Sequence, residues 1–506
     1  MAMKEVEFID TSVRDAPQSL WATRITNEMI MPYASRMDEM GFAWIDLLGG
    51  ATFDVCVRYL REDPWERLRL MAERVTRTPL NVWTRGQSLF TFEFFPDDVV
   101  DLTIRRIAAN GIKRHTFYDA LGDVRNIELA IKATRAAGMH VCAGFAYTLS
   151  PVHTDEYYAD MARQIVTIGV DSFIIKDASG LLTPDRVRTL VPAIRTAVGD
   201  LPLEMHSHCR GGLAEICYLE AVLLGVDILH TAVGPMAGSD SLPPTEYFVQ
   251  HLRREGYRVR PRLEDLAEMA DYFTALAEAY GKPLGKHRRY DPMLYRHQVP
   301  GGMISNLKSQ LHDIGMADRL DEVLEEAVQV REDLGYPVVV SPFAQFVITQ
   351  SMLNVVQGER YATIPDEIVR YAMGFYGKPV GPIDPTITDR ASELMDGTEP
   401  ITERPGALLE PDLDRVREEH GPFSSDDDLL LAAFYHPTVL QPLFSERARP
   451  DRRTDYPISA LTPFKQLLSE LQRRPNLPYV SVRKGDFVFE GGTEAVAPGT
   501  AAALDR

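Results

Sequence analysis

Positive charge is scarce in this chain of 506 residues, where 54 lysines and arginines stand against 73 aspartates and glutamates, a net charge of −19. No basic stripe is evident, which disfavours nucleic acid and anionic membranes as partners. No apolar run approaches the roughly 18 residues of a membrane-spanning helix, and the N-terminus lacks the apolar region of a signal peptide. We therefore expect a cytoplasmic protein that binds neither nucleic acid nor membrane.

Cysteine is also rare, with four residues and no paired spacing. This usage predicts reduced thiols, as in a cytoplasmic protein. Cys209 directly follows His208, and neighbours on a strand point to opposite faces, so we interpret Cys209 as buried packing rather than a metal ligand. The remaining composition, 45% hydrophobic and 25% charged, is that of an ordinary globular protein long enough for two or more domains.

Short β-like runs alternate with segments of helical periodicity through the first half of the chain. The helical segments include residues 97–110, 183–198 and 213–224. Eight strands alternating with helices over about 240 residues match the count and size of a (β/α)₈ TIM barrel, an α/β fold. A doubly wound open sheet is the alternative, but no Gly-x-Gly-x-x-Gly follows the first strand, which weakens its dinucleotide-binding version. The predicted strands cover residues 6–10, 43–48, 81–84, 114–119, 140–148, 171–176, 203–208 and 227–232.

The β pattern fades beyond residue 250, and proline and acidic residues become frequent after residue 395. This last part carries a few helical pieces, such as residues 462–473, a strand-like run at 479–489 and an end whose composition predicts disorder. We divide the chain into a barrel domain (1–300), a helical domain (301–395, with helices from about 263 onward contributing) and an acidic, proline-rich C-terminal extension (396–506). The predicted helices after the barrel are 263–279, 319–334, 344–356 and 366–374.

The seventh predicted strand ends in His206-Ser207-His208. Side chains two apart on a strand share a face, so the two imidazoles can converge on one point, as in many divalent metal sites. Taken alone, the motif also fits a polar strand end without metal. Functional groups in a barrel sit at the carboxyl ends of the strands, and the end of the first strand supplies Asp15. The three side chains make a set able to hold Zn²⁺, Mn²⁺ or Co²⁺.

Lys176 ends the sixth predicted strand after the apolar run Phe173-Ile174-Ile175. Burial disfavours the ammonium form and lowers the pKa of the amine, and a neutral amine can add CO₂ to become a carbamate. The carbamate would be a further anionic metal ligand. The alternative is an ion pair between Lys176 and a carboxylate such as Asp177, and the histidines one strand away favour the carbamate.

Arg14 and Arg85 also stand at predicted strand ends, with Gln18 soon after the first. Guanidinium groups bind carboxylates in bidentate fashion, which suits a small anionic substrate. A metal that also takes a substrate carbonyl oxygen would stabilise an enolate. Each arginine taken singly fits a surface ion pair equally well, so the prediction rests on their placement beside the metal set.

Seven segments in this order resemble one family, the biotin-dependent carboxyltransferases that act on pyruvate or oxaloacetate. Its members are the carboxyltransferase domain of pyruvate carboxylase, the oxaloacetate decarboxylase α subunit and the transcarboxylase 5S subunit. The resemblance runs from about residue 5 to residue 390. It rests on residues 10–19, 49–54, 63–68, 85–86, 175–177, 206–208 and 297–307.

The resemblance implies a TIM barrel followed by an α-helical funnel domain, and carboxyl transfer between biotin and a 2-oxo acid through a metal-stabilised enolate. Ser305 takes the place of a family threonine that shuttles a proton between biotin and the enolate. Lys176, Arg85 and Ser305 would be catalytic. The implied metal ligands are Asp15, carbamylated Lys176, His206 and His208, and the implied substrate-binding residues are Arg14, Gln18 and Arg85.

No Ala-Met-Lys-Met lies in a strand-rich C-terminal module, so the biotin is expected on a separate carrier. The resemblance thus implies a biotin carboxyl carrier protein as partner, with a biotin carboxylase or a second carboxyltransferase subunit, and a homo-oligomer, most simply a dimer. Several positions depart from the family pattern while the metal and carboxylate-binding groups remain, so a larger or differently shaped 2-oxo acid is an open alternative. These positions are Pro17, Leu48, Thr116 (usually arginine), residues 209–212, His230 (usually aspartate) and Leu242.

Two other functions fit parts of this pattern. Metal-dependent acyl-CoA lyases and synthases of the same barrel superfamily share an Arg-Asp after the first strand and a His-x-His after the seventh, but they need neither Lys176 nor Ser305. A non-catalytic structural subunit of a carboxylase would tolerate the departures at Thr116 and Arg210. It would have no physical reason to keep all four metal ligands.

Overall fold

The computed structural model describes residues 4–299, 301–452, Tyr456, 480–484 and 487–491. The chain divides into two compact units at residues 456 and 457. In the second unit, the predicted strand-like run falls on an antiparallel pair, Val480–Lys484 and Phe487–Gly491. The helix predicted at 462–473 and the disorder predicted for the end of the chain lie outside the described residues.

A closed barrel of eight parallel strands forms the core of the first unit, which confirms the TIM-barrel prediction. Each strand pairs with the next in sequence, and the eighth closes on the first with Asp10 opposite Thr231. Every predicted strand overlaps an observed one. The strands are β1 (Glu7–Asp10), β2 (Trp44–Leu48), β3 (Leu80–Thr84), β4 (Arg114–Phe117), β5 (His140–Ala146), β6 (Ser172–Asp177), β7 (Leu203–Ser207) and β8 (Ile228–Thr231).

Helices between the strands cover the outside of the barrel. Their starts follow the sequence: Thr183 accepts a hydrogen bond from the backbone N–H of Arg186, and Pro184 occupies the first turn. Among the described residues, no helix is long and apolar enough to cross a membrane. The α-helices up to the end of the barrel are Asp15–Leu20, Asn27–Ile30, Ala34–Met37, Gly50–Val55, Pro64–Arg74, Asp97–Ala109, Arg125–Ala136, Asp155–Ile168, Pro184–Val198, Ala214–Leu223 and Thr245–Arg254.

A second group of helices follows the barrel. The apolar side chains of Leu263–Ala279 belong to the core of the barrel, whereas residues 299–391 form a hydrophobic core of their own that also takes in Ala120 and Leu121. The four helices predicted here are all present. The helices are Leu263–Ala279, Leu294–His297, Gly301–Asp313, Leu320–Asp333, Phe343–Gln357, Asp366–Ala372 and Pro385–Leu394.

The first part of the C-terminal extension is helical and packs on the barrel, through Leu413–His420, Asp426–Phe434 and Pro437–Arg447. Asp427 is buried and forms ion pairs with Arg69 and Arg106 of two barrel helices. The Phe434 ring makes edge contacts with Phe53 and Phe90, which lie just after Gly50 and Arg85 in the chain. The extension therefore packs against the segments that follow β2 and β3.

Candidate metal and substrate site

Three buried side chains meet at the carboxyl ends of β1 and β7. Asp15 is the first residue of the helix after β1, His206 lies in β7, and His208 follows that strand. The Nε2 atoms of His206 and His208 lie 3.3 Å apart, and each is close to one carboxylate oxygen of Asp15, at 3.4 Å and 3.3 Å. The geometry brings the predicted carboxylate and imidazoles to one point, where they could hold a metal ion.

The protonation of this cluster fits a divalent cation. Burial lowers the pKa of His208 to about 4 and that of His206 well below its ordinary value, so both imidazoles are neutral. Burial opposes ionisation of Asp15, but the Arg14 guanidinium beside it holds the pKa of this carboxyl well below the usual range. His208 Nδ1–H donates to the carbonyl oxygen of Asp240 at 2.6 Å, which leaves the Nε2 lone pair facing the cluster. The site thus offers one carboxylate and two imidazole lone pairs.

Lys176 stands opposite His206 in the register of β6 and β7 and is 5% exposed. Its Nζ lies 4.7 Å from the ring centre of Trp83 and 5.1 Å from that of Tyr118, and burial lowers the pKa of the amine. Within the described part of the chain, no carboxylate lies within ion-pair distance of this amine. Asp177 instead accepts hydrogen bonds from the Ser207 hydroxyl and two backbone N–H groups, so the geometry excludes the Lys176–Asp177 ion pair.

Arg14 is buried between two carboxylates. Its Nη1 donates to Asp15 at 2.5 Å and its Nη2 to Asp46 at 2.7 Å. The guanidinium also lies over the ring of Trp83, whose indole N–H donates to Asp46 at 2.9 Å. Arg14 therefore orients the proposed metal carboxylate. Asp46 and Trp83 were not predicted from the sequence. They lie inside β2 and β3, and no sequence motif marks such residues as part of a site.

Arg85 follows β3 and folds back over its own loop. Its Nη1 donates to the carbonyl oxygen of Thr91 at 2.9 Å, and the guanidinium lies 4.4 Å from the centre of the Phe92 ring. A Cβ atom on Gly50 would overlap this guanidinium, whereas a Cβ on Gly49 would meet Arg14 Cδ at an ordinary 3.4 Å. Gly50 of the sequence motif thus leaves free the space that the Arg85 guanidinium occupies, whereas Gly49 is not required by Arg14.

The other two predicted residues lie on helices near the barrel. Gln18 is half-buried on the helix that begins with Asp15, and its backbone N–H donates to the carbonyl oxygen of Arg14 at 3.3 Å. Ser305 lies in the helix Gly301–Asp313, and its side chain lies outside the described structure. The structure therefore places Gln18 one helical turn after Arg14, and the roles of Gln18 and Ser305 stay predictions.

A chain of buried side chains behind His206 was not predicted. His206 Nδ1 lies 3.4 Å from Nδ1 of His230, whose Nε2 lies 2.9 Å from Glu204. Arg114 donates to both carboxylate oxygens of Glu204, at 2.7 Å and 2.5 Å. One signal was available, because Glu204 precedes His206 by two residues on the same strand and so shares its inward face. Its pairing with Arg114 has no sequence signature.

Comparison with known proteins agrees with this arrangement. Residues 294–480 match the family model described as a conserved carboxylase domain. A pyruvate carboxylase subunit of Methanocaldococcus jannaschii is 44% identical over 434 residues, covering 85% of this chain and 76% of that protein. The 2-oxoglutarate carboxylase large subunit of Hydrogenobacter thermophilus is 36% identical over 439 residues, covering 85% of this chain and 67% of that protein.

Among solved structures, the carboxyl transferase domain of Rhizobium etli pyruvate carboxylase with pyruvate is similar at a TM-score of 0.79 and 28% identity, covering 88% of this chain and 77% of that one. The barrel fold and its buried carboxylate–imidazole cluster are consistent with the family of these relatives. The chain belongs to the biotin-dependent carboxyltransferases of the pyruvate carboxylase type.

Proposed function

We propose that this protein moves a carboxyl group between carrier-bound biotin and a 2-oxo acid, with pyruvate and oxaloacetate as the first candidates. The observation that carries the proposal is the cluster of Asp15, His206 and His208 beside the buried amine of Lys176. Both features are expected of a carboxyltransferase. A structural subunit has no use for them, and a lyase or synthase of the same superfamily has no use for the lysine.

The cluster is proposed to hold zinc, cobalt or manganese. Two neutral imidazoles and one carboxylate suit any of these metals. Lys176 would be the fourth ligand as a carbamate formed with CO₂, which its burial and its lack of an ion pair among the described residues support. When bound, the metal supplies Lewis-acid polarisation of the 2-oxo oxygen.

The remaining residues would bind substrate and move protons. Arg85 would bind the carboxylate of the 2-oxo acid, with Gln18 as a further polar contact, and Arg14 would keep the Asp15 carboxylate in place through its 2.5 Å contact. The hydroxyl of Ser305 would carry the proton between biotin and substrate. The helices of residues 301–395 would form the funnel over this site.

The partners follow from the same proposal. The subunit names of the relatives support a separate biotin carboxyl carrier protein, with a biotin carboxylase or a second carboxyltransferase subunit. We also propose that the protein is a homo-oligomer, most simply a dimer, and that it is cytoplasmic. The proposed domain boundaries are at residues 300 and 395.

Arg210 favours a second substrate candidate, a 2-oxo acid with an additional carboxylate such as 2-oxoglutarate. Arg210 lies two residues beyond His208, and its buried Nε has no hydrogen-bond partner among the described residues. The nearest acidic oxygen belongs to Asp240, at 3.8 Å, and Asp240 also pairs with Arg288. Two guanidinium groups thus share one carboxylate at this rim, and the excess positive charge suits a dicarboxylate.

Decarboxylation of the carboxylated products tests the function and the substrate together. Purified protein with biotin is given oxaloacetate or oxalosuccinate, and the release of pyruvate or 2-oxoglutarate is followed with coupled dehydrogenases. The His206→Ala variant corrects for spontaneous decarboxylation. Biotin-stimulated release of pyruvate supports the first candidate, and release of 2-oxoglutarate that Arg210→Ala abolishes supports the second. Release at the variant's rate for both compounds would favour the structural subunit.

A further inference from the structure

Behind the proposed metal site lies a row of four side chains that are 0% exposed: His206, His230, Glu204 and Arg114. They come from strands β4, β7 and β8 and meet inside the barrel. Consecutive members are joined by contacts of 3.4 Å between the imidazoles, 2.9 Å from His230 to Glu204, and 2.5 Å from Glu204 to Arg114. Every member is fully enclosed, so its hydrogen bonds come from protein groups rather than from bulk water.

We infer that Arg114, Glu204 and His230 form a positioning relay that fixes the tautomer and ring orientation of His206, and through it the affinity of the site for its metal. This inference rests on the metal site of the proposed function. His230, Glu204 and Arg114 are positioning residues, because none of them contributes an atom to the cluster around Asp15.

The hydrogen-bond inventory allows one arrangement of protons. His206 Nε2 faces the Asp15 carboxylate and His208, so as a metal ligand it carries a lone pair, and the proton sits on Nδ1. That N–H then donates to Nδ1 of His230. The proton of His230 is left on Nε2, from which it donates to Glu204. A protonated His230 would present an N–H to His206 and force the wrong tautomer.

Arg114 keeps the end of this row anionic. The Arg114 guanidinium donates to both oxygens of the Glu204 carboxylate, at 2.7 Å and 2.5 Å, and this charged partner favours the ionised form, which accepts from His230 at 2.9 Å. The Arg114–Glu204 pair carries no net charge. The relay therefore acts on the metal through the orientation of His206 and adds no charge to the site.

The relay also explains two departures from the family pattern as one change. The arginine expected at position 116 stands two residues earlier, at Arg114, so it faces the same side of β4 one layer deeper in the barrel. Its Nε lies 3.3 Å from the Thr116 hydroxyl, and its Nη2 reaches Glu204. His230, where an aspartate is expected, then donates to Glu204. An aspartate at this place would instead set two carboxylates against each other.

Metal binding tests the relay without reference to activity. Apo protein is titrated with Co²⁺ in competition with a chelator, and the visible spectrum of bound Co²⁺ reports the ligand geometry. His230→Ala should weaken binding by about 10- to 100-fold and change the spectrum, since the hydrogen-bond partners of ligating histidines typically carry that much affinity. His230→Gln should restore most of it, because the amide can accept from His206 and donate to Glu204 at once.

The matched control is His115→Ala. His115 is also 0% exposed, on β4, and its two ring nitrogens contact Thr84 and Thr134 at 2.9 Å and 2.8 Å, away from the metal cluster. This variant should lose stability with unchanged Co²⁺ affinity. Equal affinity in His230→Ala and His115→Ala, or no recovery in His230→Gln, overturns the relay alone. If the wild-type chain binds no divalent metal, both the metal site and the relay are wrong. Carboxyl transfer by the wild type is measured in a separate assay and tests the proposed function by itself.

Discussion

The Gly49-Gly50 pair allows a sharp test of the substrate arginine, since neighbouring substitutions have opposite steric consequences. A Cβ on Gly50 would occupy the space of the Arg85 guanidinium. Arg85 cannot step aside freely, because it is held by the Thr91 carbonyl at 2.9 Å and by the Phe92 ring. Gly50→Ala should therefore displace the guanidinium from the position in which it would bind the 2-oxo acid.

The size of the effect follows from the contact that is lost. A hydrogen bond to a charged group contributes about 1.5–3 kcal/mol, which corresponds to a roughly 10- to 150-fold rise in KM for the 2-oxo acid. Metal content should not change, because Gly50 does not touch the cluster. The fold should hold or gain slightly, since alanine is favoured over glycine in a helix by up to about 1 kcal/mol, and Gly50 begins the helix Gly50–Val55.

Gly49→Ala is the matched control. Its Cβ would meet Arg14 Cδ at 3.4 Å and Trp83 Cβ at 3.6 Å, which are ordinary contacts, and its φ of −149° suits alanine. The helix loses a glycine at its N-cap, so a small loss of stability, about 0.5–1 kcal/mol, is expected with KM near the wild-type value. Steady-state kinetics, metal analysis and thermal unfolding of both variants decide the matter. Equal KM values in the two variants would refute the role given to Arg85.

Three further predictions concern the metal ligand, the extension and the strand β1. Lys176→Ala should lose most of the bound divalent metal in elemental analysis of the purified protein, and full occupancy would rule out a carbamate ligand. Phe434→Ala should destabilise the protein by about 3–5 kcal/mol in chemical unfolding, because the ring packs against Phe53 and Phe90; an unchanged midpoint would mean that the extension is not part of the cooperative fold. Burial raises the pKa of Asp10 to about 7, so the folded protein binds this proton more tightly than the unfolded chain, and the stability contributed by the protonated form is lost as pH rises through 7. Relative to Asp10→Asn, the wild type should therefore lose stability between about pH 4 and about pH 7, by up to a few kcal/mol in urea unfolding. A difference that does not vary with pH would contradict the buried, protonated carboxyl.

Much of the site could be predicted because a barrel brings all strand ends to one face. His206 and His208 share a face through the period of two, Asp15 follows β1, and Lys176 lies near the end of β6, a strand that the hydrophobic pattern marks clearly. Arg14 was harder to assign. The substrate contact that the sequence predicts for it stays a prediction, and its two terminal nitrogens contact Asp15 and Asp46. A side chain's choice between partners depends on distances that no motif encodes.

The sequence predicts helical pieces in the extension but does not place two of its helices, for a different reason. Leu413–His420 and Asp426–Phe434 are short and lie among acidic residues, and short helices draw their stability from packing rather than from propensity. Their acidic character, which gave no helical signal, is part of that packing, since Asp427 pairs with arginines of two barrel helices.

The sequence by itself determined the barrel and the meeting of Asp15, His206 and His208, because strand alternation and helical periodicity are local patterns and because parallel strands deliver their ends to one place. Only the tertiary structure decided which groups lie behind the cluster. Arg114 and Glu204 are 90 residues apart, and a charged residue in a strand looks the same in sequence whether it faces water or a partner across the barrel. The closed barrel excludes water from these side chains, so Arg114 and His230 donate to Glu204 instead of to solvent.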